Sequence, residues 1–158
     1  GSHTCGVRTD ATLWCWGSNF AGQVGDGSWV DQYSPVHIGV ATWKSISAGN
    51  GHTCGLRTDG ALWCWGYGAY GQVGNGGTGN IPVPTAIGTA TWKAVAAGTN
   101  YTCGIGTDGT LWCWGRNGSG EFGDGTTTSR THPFPIGELK SWETVSVGTH
   151  TLGLLSGG

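Results

Sequence analysis

His3-Thr-Cys-Gly-Val-Arg-Thr-Asp-Ala-Thr-Leu-Trp-Cys-Trp-Gly17 decides the fold, because it returns as His52 to Gly66 and again as Tyr101 to Gly115. The step is 49 residues each time. A fixed period of this length marks a repeat architecture in which each unit buries its faces against its neighbours. It also sorts the residues. Those that recur at every step serve the repeat, and those that break the pattern are the candidates for function.

Within the stretch, two β-like runs flank a turn. The first runs from His3, His52 or Tyr101 to Arg8, Arg57 or Gly106. The turn is Thr58-Asp59-Gly60 or Thr107-Asp108-Gly109, with Ala11 replacing Gly in the first repeat. Asp-Gly between such runs signals a hairpin, since Gly accepts positive φ; Ala11 is expected to be strained there. The second run, Leu-Trp-Cys-Trp-Gly at 13–17, 62–66 and 111–115, alternates Leu13 and Cys15 against Trp14 and Trp16.

Outward from the hairpin comes a Gly-rich segment, Gly17 to Gly27, repeated as Gly66 to Gly76 and Gly115 to Gly125. The repeats then diverge over 28–34, 77–83 and 126–132. They regain register at Pro35, Pro84 and Pro133 and at a last short strand, Trp43 to Ile46, Trp92 to Val95 and Trp142 to Val145. Each unit thus holds about four short strands, the size of a propeller blade. The chain reads as all-β, a single repeat domain over 1–158 with repeats at 1–49, 50–98 and 99–147. A partial fourth repeat, a lone strand, follows at 148–158.

Of the 158 residues, 33 are Gly, 10 are Trp and only 10% are charged, with a formal net charge of −2. That balance lacks the basic face nucleic acid requires. No apolar run approaches the ~20 residues of a membrane-spanning helix, so no membrane insertion is expected. The aromatic content argues against disorder.

Several linked motifs resemble the regulator of chromosome condensation repeat. They are Asp59-Gly60, Trp65-Gly66, Gly71-Gln72-Val73-Gly74 and Pro84, with Asn19-Phe-Ala-Gly22-Gln23-Val24-Gly25 in the first repeat. The third repeat has Asn117 and Gly120 but Glu121 in place of Gln, and the second has Gly68 in place of Asn. The resemblance implies a β-propeller, usually of seven blades in a closed ring. Three repeats fall short of a ring. The incomplete ring is expected to be closed or extended by other copies: two chains give six blades, and a rotation that fails to close gives a filament. The residues expected to serve assembly by strand addition are His150, Thr151, Leu152, Leu154 and Leu155.

The six cysteines form pairs ten residues apart, Cys5 and Cys15, Cys54 and Cys64, Cys103 and Cys113, with the turn midway. Three cross-strand disulfides are expected. A zinc site prefers a shorter Cys spacing, and a redox Cys-x-x-Cys is missing. Paired cysteines place the protein outside the reducing cytosol, extracellular or at the cell surface, as a mature secreted form. Leu152 stands where a fourth repeat would carry Cys.

No catalytic constellation, cofactor site or metal site is expected. Asp10, Asp59 and Asp108 sit at separate hairpin tips. Asp26, Asn75 and Asp124 precede Gly in another turn, and the segment after Asp26 matches a calcium loop poorly. His3, His52 and His150 recur at one position and read as structural, backbone-bonded histidines. Asn100-Tyr-Thr102 and Asn117-Gly-Ser119 match the N-glycosylation pattern. The candidate binding loops are those that diverge, with Trp29 and Tyr33 in the first repeat and Arg130 and His132 in the third. The function expected is a non-enzymatic structural or protein-binding module whose partners are other copies of itself or another protein. The alternatives are a single-target regulator, either an enzyme inhibitor or an exchange-factor-like binder, and then a lectin or enzyme.

Overall fold

The computed structural model describes residues 2–149 and 151–155, and every regular element among them is a strand. Each hairpin forms where the sequence places Asp before a residue of positive φ. Asp10, Asp59 and Asp108 each accept a hydrogen bond through Oδ1 from the backbone N–H two residues on, at 3.1, 2.9 and 3.0 Å. Gly60 and Gly109 have φ of 84° and 79°, and Ala11 takes the same region at 65°.

The hairpin strands are β1 (His3–Val7) and β2 (Leu13–Gly17), β5 (His52–Arg57) and β6 (Ala61–Gly66), and β8 (Tyr101–Gly106) and β9 (Leu111–Gly115). The Pro-containing runs form β3 (Gln32–His37) and β10 (Arg130–Pro135), while the Trp-led runs form β4 (Trp43–Ala48) and β11 (Trp142–Val147). In the second repeat the two runs fuse into one long strand, β7 (Ile81–Ala97). The last element is β12 (Thr151–Leu155). Cys5 faces Cys15 in register, Cys54 faces Cys64 and Cys103 faces Cys113. The sulfurs of all three pairs are bonded, with Cα atoms 4.1 Å apart. Each bridge closes a short loop and contributes about 2–3 kcal/mol by restricting the unfolded chain.

The sheets show how repeat and blade relate. One sheet is β1-β2-β3, one is seven strands in the order β10-β9-β8-β7-β6-β5-β4, and one is β11-β12. The long β7 divides the middle sheet: its first part pairs with β6 and Trp92 to Ala97 pair with β8. The complete blades are therefore β4-β5-β6 with the start of β7, and the end of β7 with β8-β9-β10. A blade begins on the Trp-led strand of the preceding repeat. The first blade accordingly has three strands and no Trp-led strand, and the last has a Trp-led strand and β12 alone.

The core lies between blades. Leu13, Cys15, Val24, Ile38 and Trp43 of the first repeat enclose Trp65 of the second. Leu62, Cys64, Val73, Ile87 and Trp92 enclose Trp114 of the third. Trp65 and Trp114 are fully buried, and losing such a side chain costs about 3–5 kcal/mol. A third cluster holds Leu111, Cys113, Phe122 and Ile136 with Trp142 packed against it. It receives no tryptophan from a following repeat.

Candidate interaction surfaces

The two internal blade junctions share one set of polar contacts. The carbonyl of Gln23 accepts the Thr53 hydroxyl at 2.8 Å and the Trp65 indole N–H at 3.0 Å. The carbonyl of Gln72 accepts Thr102 and Trp114 at the same distances. His3 Nε2 lies 2.7 Å from Thr53 Oγ1, and His52 Nε2 lies 2.8 Å from Thr102 Oγ1. Each threonine has spent its only proton on the glutamine carbonyl, so the imidazole must donate. This fixes the neutral Nε2–H tautomer. Burial lowers the His3 pKa to about 4 and that of His52 to about 3. The recurring histidine is thus structural, but its partner is a side chain in the next repeat, where a backbone partner was expected.

Glycine makes this junction tight. A Cβ on Gly25 would overlap the indole nitrogen of Trp65, and one on Gly74 would lie 2.5 Å from that of Trp114. A Cβ on Gly22 would lie 2.5 Å from the Pro82 Cα, and one on Gly71 would lie 2.7 Å from the Thr131 Cα.

At the third repeat the same surface is only half covered. Thr151 in β12 donates to the Glu121 carbonyl at 2.9 Å and lies 3.2 Å from the Tyr101 hydroxyl, as Thr53 and Thr102 do at their junctions. Beyond it opens a cleft of about 590 Å³ lined by Leu111, Glu121, Phe122, Gly123, Ile136 and Trp142, among others. These residues are the counterparts of those around Trp65 and Trp114. A Cβ on Gly123 would meet no heavy atom within 4 Å. In the first repeat Thr4 is exposed and Trp16 is only partly buried, whereas Thr53, Thr102, Trp65 and Trp114 are fully buried.

Local packing is adjusted at the third repeat. Glu121 Oε2 accepts the Ser119 N–H at 2.8 Å, as Gln23 accepts Ala21 and Gln72 accepts Tyr70, and Glu121 also faces Arg116 at 3.6 Å. Asn117 is fully buried. Its amide donates to the Thr126 and Thr128 carbonyls and accepts from the Phe122 N–H, so the sequon at Asn117 is closed to modification in the folded chain. Gly68 lacks such a side chain because a Cβ there would collide with the Gly79 carbonyl.

Of the residues expected in binding loops, Trp29 lies in a loop and is 50% exposed, but Tyr33 belongs to β3 and is 95% exposed. Arg130 and His132 belong to β10, and the Arg130 guanidinium lies 4.3 Å from the centroid of the Phe134 ring. Tyr33 and the Arg130–His132 pair lie on different blades, with a complete blade between them. Of the assembly residues, Leu152 and Leu154 are exposed on β12, Thr151 faces the junction, and His150 lies outside the described residues. Sequence reading did not single out Trp16, Gly123 or the cleft. The signal was present, since every residue around Trp65 recurs in the third repeat.

Among the described residues no cluster of His, Cys, Asp or Glu could hold a metal ion, and no helix is long and apolar enough to cross a membrane. The Asp26 and Asp124 carboxylates each accept a hydrogen bond from the N–H two residues on.

Comparison with known proteins follows this architecture. The chain is similar in structure to Prp20p of Saccharomyces cerevisiae, with a TM-score of 0.86 and 22% identity, covering 99% of this chain and 42% of that one. Human WBSCR16 gives 0.88 and 22%, covering 99% and 43%. The ectodomain of the Physcomitrella patens receptor kinase CR4 gives 0.62 and 20%, covering 99% and 37%. The chain thus spans less than half the length of each. No curated protein sequence matches it. The model of the regulator of chromosome condensation (RCC1) repeat matches residues 10–56, 59–105 and 108–154, and a second model of that repeat matches 43–72 and 92–121. The chain belongs to the regulator of chromosome condensation repeat family, in a form whose three hairpins each carry a disulfide.

Proposed function

We propose that this chain is a non-enzymatic, extracellular protein-binding propeller module that assembles with other copies of itself through its open blade edges and C-terminal strand. One observation carries the reading. The chain contains two complete blade junctions, and among the described residues the matching surface of the third repeat, around Glu121 and Phe122, is only half covered. Strand edges support it: among the described residues β1 pairs only with β2, and β12 only with β11. Such edges favour pairing with another chain. Three disulfides suit an oxidising compartment. Among the solved relatives, Prp20p is described by its binding to Gsp1p and histones, and yeast RCC1 was solved bound to Kap60. Relatives of this fold thus bind other proteins, which supports a protein-binding reading here.

The test is the solution mass in non-reducing buffer, measured by light scattering over a concentration series. The reading predicts a mass that rises with concentration from the 16.2 kDa of one chain. A single 16.2 kDa species at every concentration would rule out assembly. If assembly is absent, capture of another protein that is lost on Trp29→Ala would favour the single-target regulator.

A further inference from the structure

The second repeat holds a cation between two tryptophans. Arg57, the last residue of β5, lies opposite Trp43 in the register of β4 and β5. Its guanidinium stacks 3.6 Å from the centroid of the Trp63 ring and 5.7 Å from that of Trp43. In the first repeat Arg8 likewise lies over the Trp14 ring, at 5.9 Å. The ring quadrupole attracts a cation to the indole face, and a planar guanidinium stacks there better than an ammonium does.

The third repeat keeps this frame and loses the cation. Gly106 lies opposite Trp92 as Arg57 lies opposite Trp43. Trp112, the counterpart of Trp63, stands 6.1 Å from Trp92 with the rings at 72°. The flanking threonines are equivalent too: the hydroxyls of Thr91 and Thr107 meet at 3.1 Å, as those of Thr42 and Thr58 meet at 2.8 Å. Because Gly106 has no side chain, a cleft of about 300 Å³ opens there, lined by Ala90, Thr91, Trp92, Thr107, Asp108 and Trp112.

Asp108 gives this cleft its charge. The Thr110 N–H and hydroxyl both donate to its carboxylate. These hydrogen bonds hold the carboxyl below its ordinary pKa, so it is an anion at neutral pH. Lys140 acts on Asp108 electrostatically but does not line the cleft. Two indoles beside one carboxylate suit a cation with a flat face, and they suit an anion poorly.

We propose that the cleft between Trp92, Trp112 and Asp108 is a recognition slot for an arginine side chain of a partner protein, which takes the place that Arg57 fills in the second repeat. The guanidinium stacks on Trp112, and its N–H groups pair with the Asp108 carboxylate. Arginine is enriched at protein interfaces and among the residues that dominate their energy. This inference rests on the protein-binding reading and names the chemistry of the partner; it does not depend on self-assembly.

The test is a titration of the full chain, labelled with ¹⁵N at its indoles, in non-reducing buffer. The probe is N-acetyl-argininamide, and N-acetyl-lysinamide is the control. The Trp112 indole signal, assigned with Trp112→Phe, should shift saturably with the arginine probe and bind the lysine control about tenfold more weakly. Gly106→Arg, which fills the slot from within, should abolish the shift. Its Cβ would lie 2.8 Å from Asp108 Oδ1, so circular dichroism must show that the variant is folded. If it is not, two other variants decide. Asp108→Asn, which retains the turn acceptor, should weaken binding about threefold. Arg57→Gly should create a second slot, seen as a saturable shift of the Trp63 indole. No shift at Trp112, or a shift that neither the control nor any of these variants alters, overturns the slot and leaves protein binding through other surfaces standing. A saturable, variant-sensitive shift in a chain that stays monomeric upholds the slot and removes self-assembly alone.

Discussion

His3 and His52 show how far a residue's role can be read from its recurrence. Recurrence identified them as structural, because function seldom repeats at a fixed period around a ring. The partner was hidden, since a repeat pattern shows equivalence between positions and does not show which positions touch. In the structure each imidazole reaches the threonine of the next repeat, fifty residues on. Nδ1 of each is buried with no hydrogen-bond partner, so protonation would place an unpaired charged donor in the junction. The sign of the pH dependence follows. The folded pKa values, about 4 and about 3, lie below the ordinary histidine value near 6.5. Unfolding therefore takes up protons. The stabilisation is complete above pH ~6.5 and is lost as pH falls towards the folded values. Between pH 7 and pH 5 the loss should be about 2 kcal/mol for each histidine. Urea unfolding across that range should show it, and His52→Gln should reduce the slope by about half. A flat profile would contradict the neutral, donating tautomer.

At the scale of the element, the hairpin was the most legible feature of the sequence. Its turn chemistry, its alternation and its mirrored cysteines all pointed to the same register, and Cys5 does face Cys15. The divergent segments were less legible. Tyr33, Arg130 and His132 were assigned to loops because 28–34 and 126–132 share no pattern and adjoin proline, yet they lie in or beside strands β3 and β10. Those strands are edges of their sheets, where proline is tolerated. The fused strand β7 was likewise hidden, because two prolines, Pro82 and Pro84, and Gly88 broke its apparent alternation. Ala11 was marked as the irregular turn residue and is the one non-glycine with positive φ among the described residues. Ala11→Gly should relieve that conformation. The gain should be about 0.5–1 kcal/mol after the larger entropy loss of glycine on folding. A higher urea midpoint with unchanged slope is the expected result, and no gain would mean that the turn is unstrained.

For the whole molecule, the count of repeats was legible, but their phase was not. The sequence repeat begins on the hairpin, whereas the blade begins one strand earlier, on Trp43, Trp92 and Trp142. That offset decides which strands the first and last blades hold among the described residues. The first blade lacks a Trp-led strand, and the last has one, with β12 occupying the hairpin position beside it. Hydrogen–deuterium exchange on the full chain at low and high concentration tests the proposed assembly through open strand edges most directly. The account predicts that amides of His3 to Val7 and of Thr151 to Leu155, both edge strands of their sheets, become protected as concentration rises. Unchanged exchange in both strands, at concentrations where the chain associates, would contradict it.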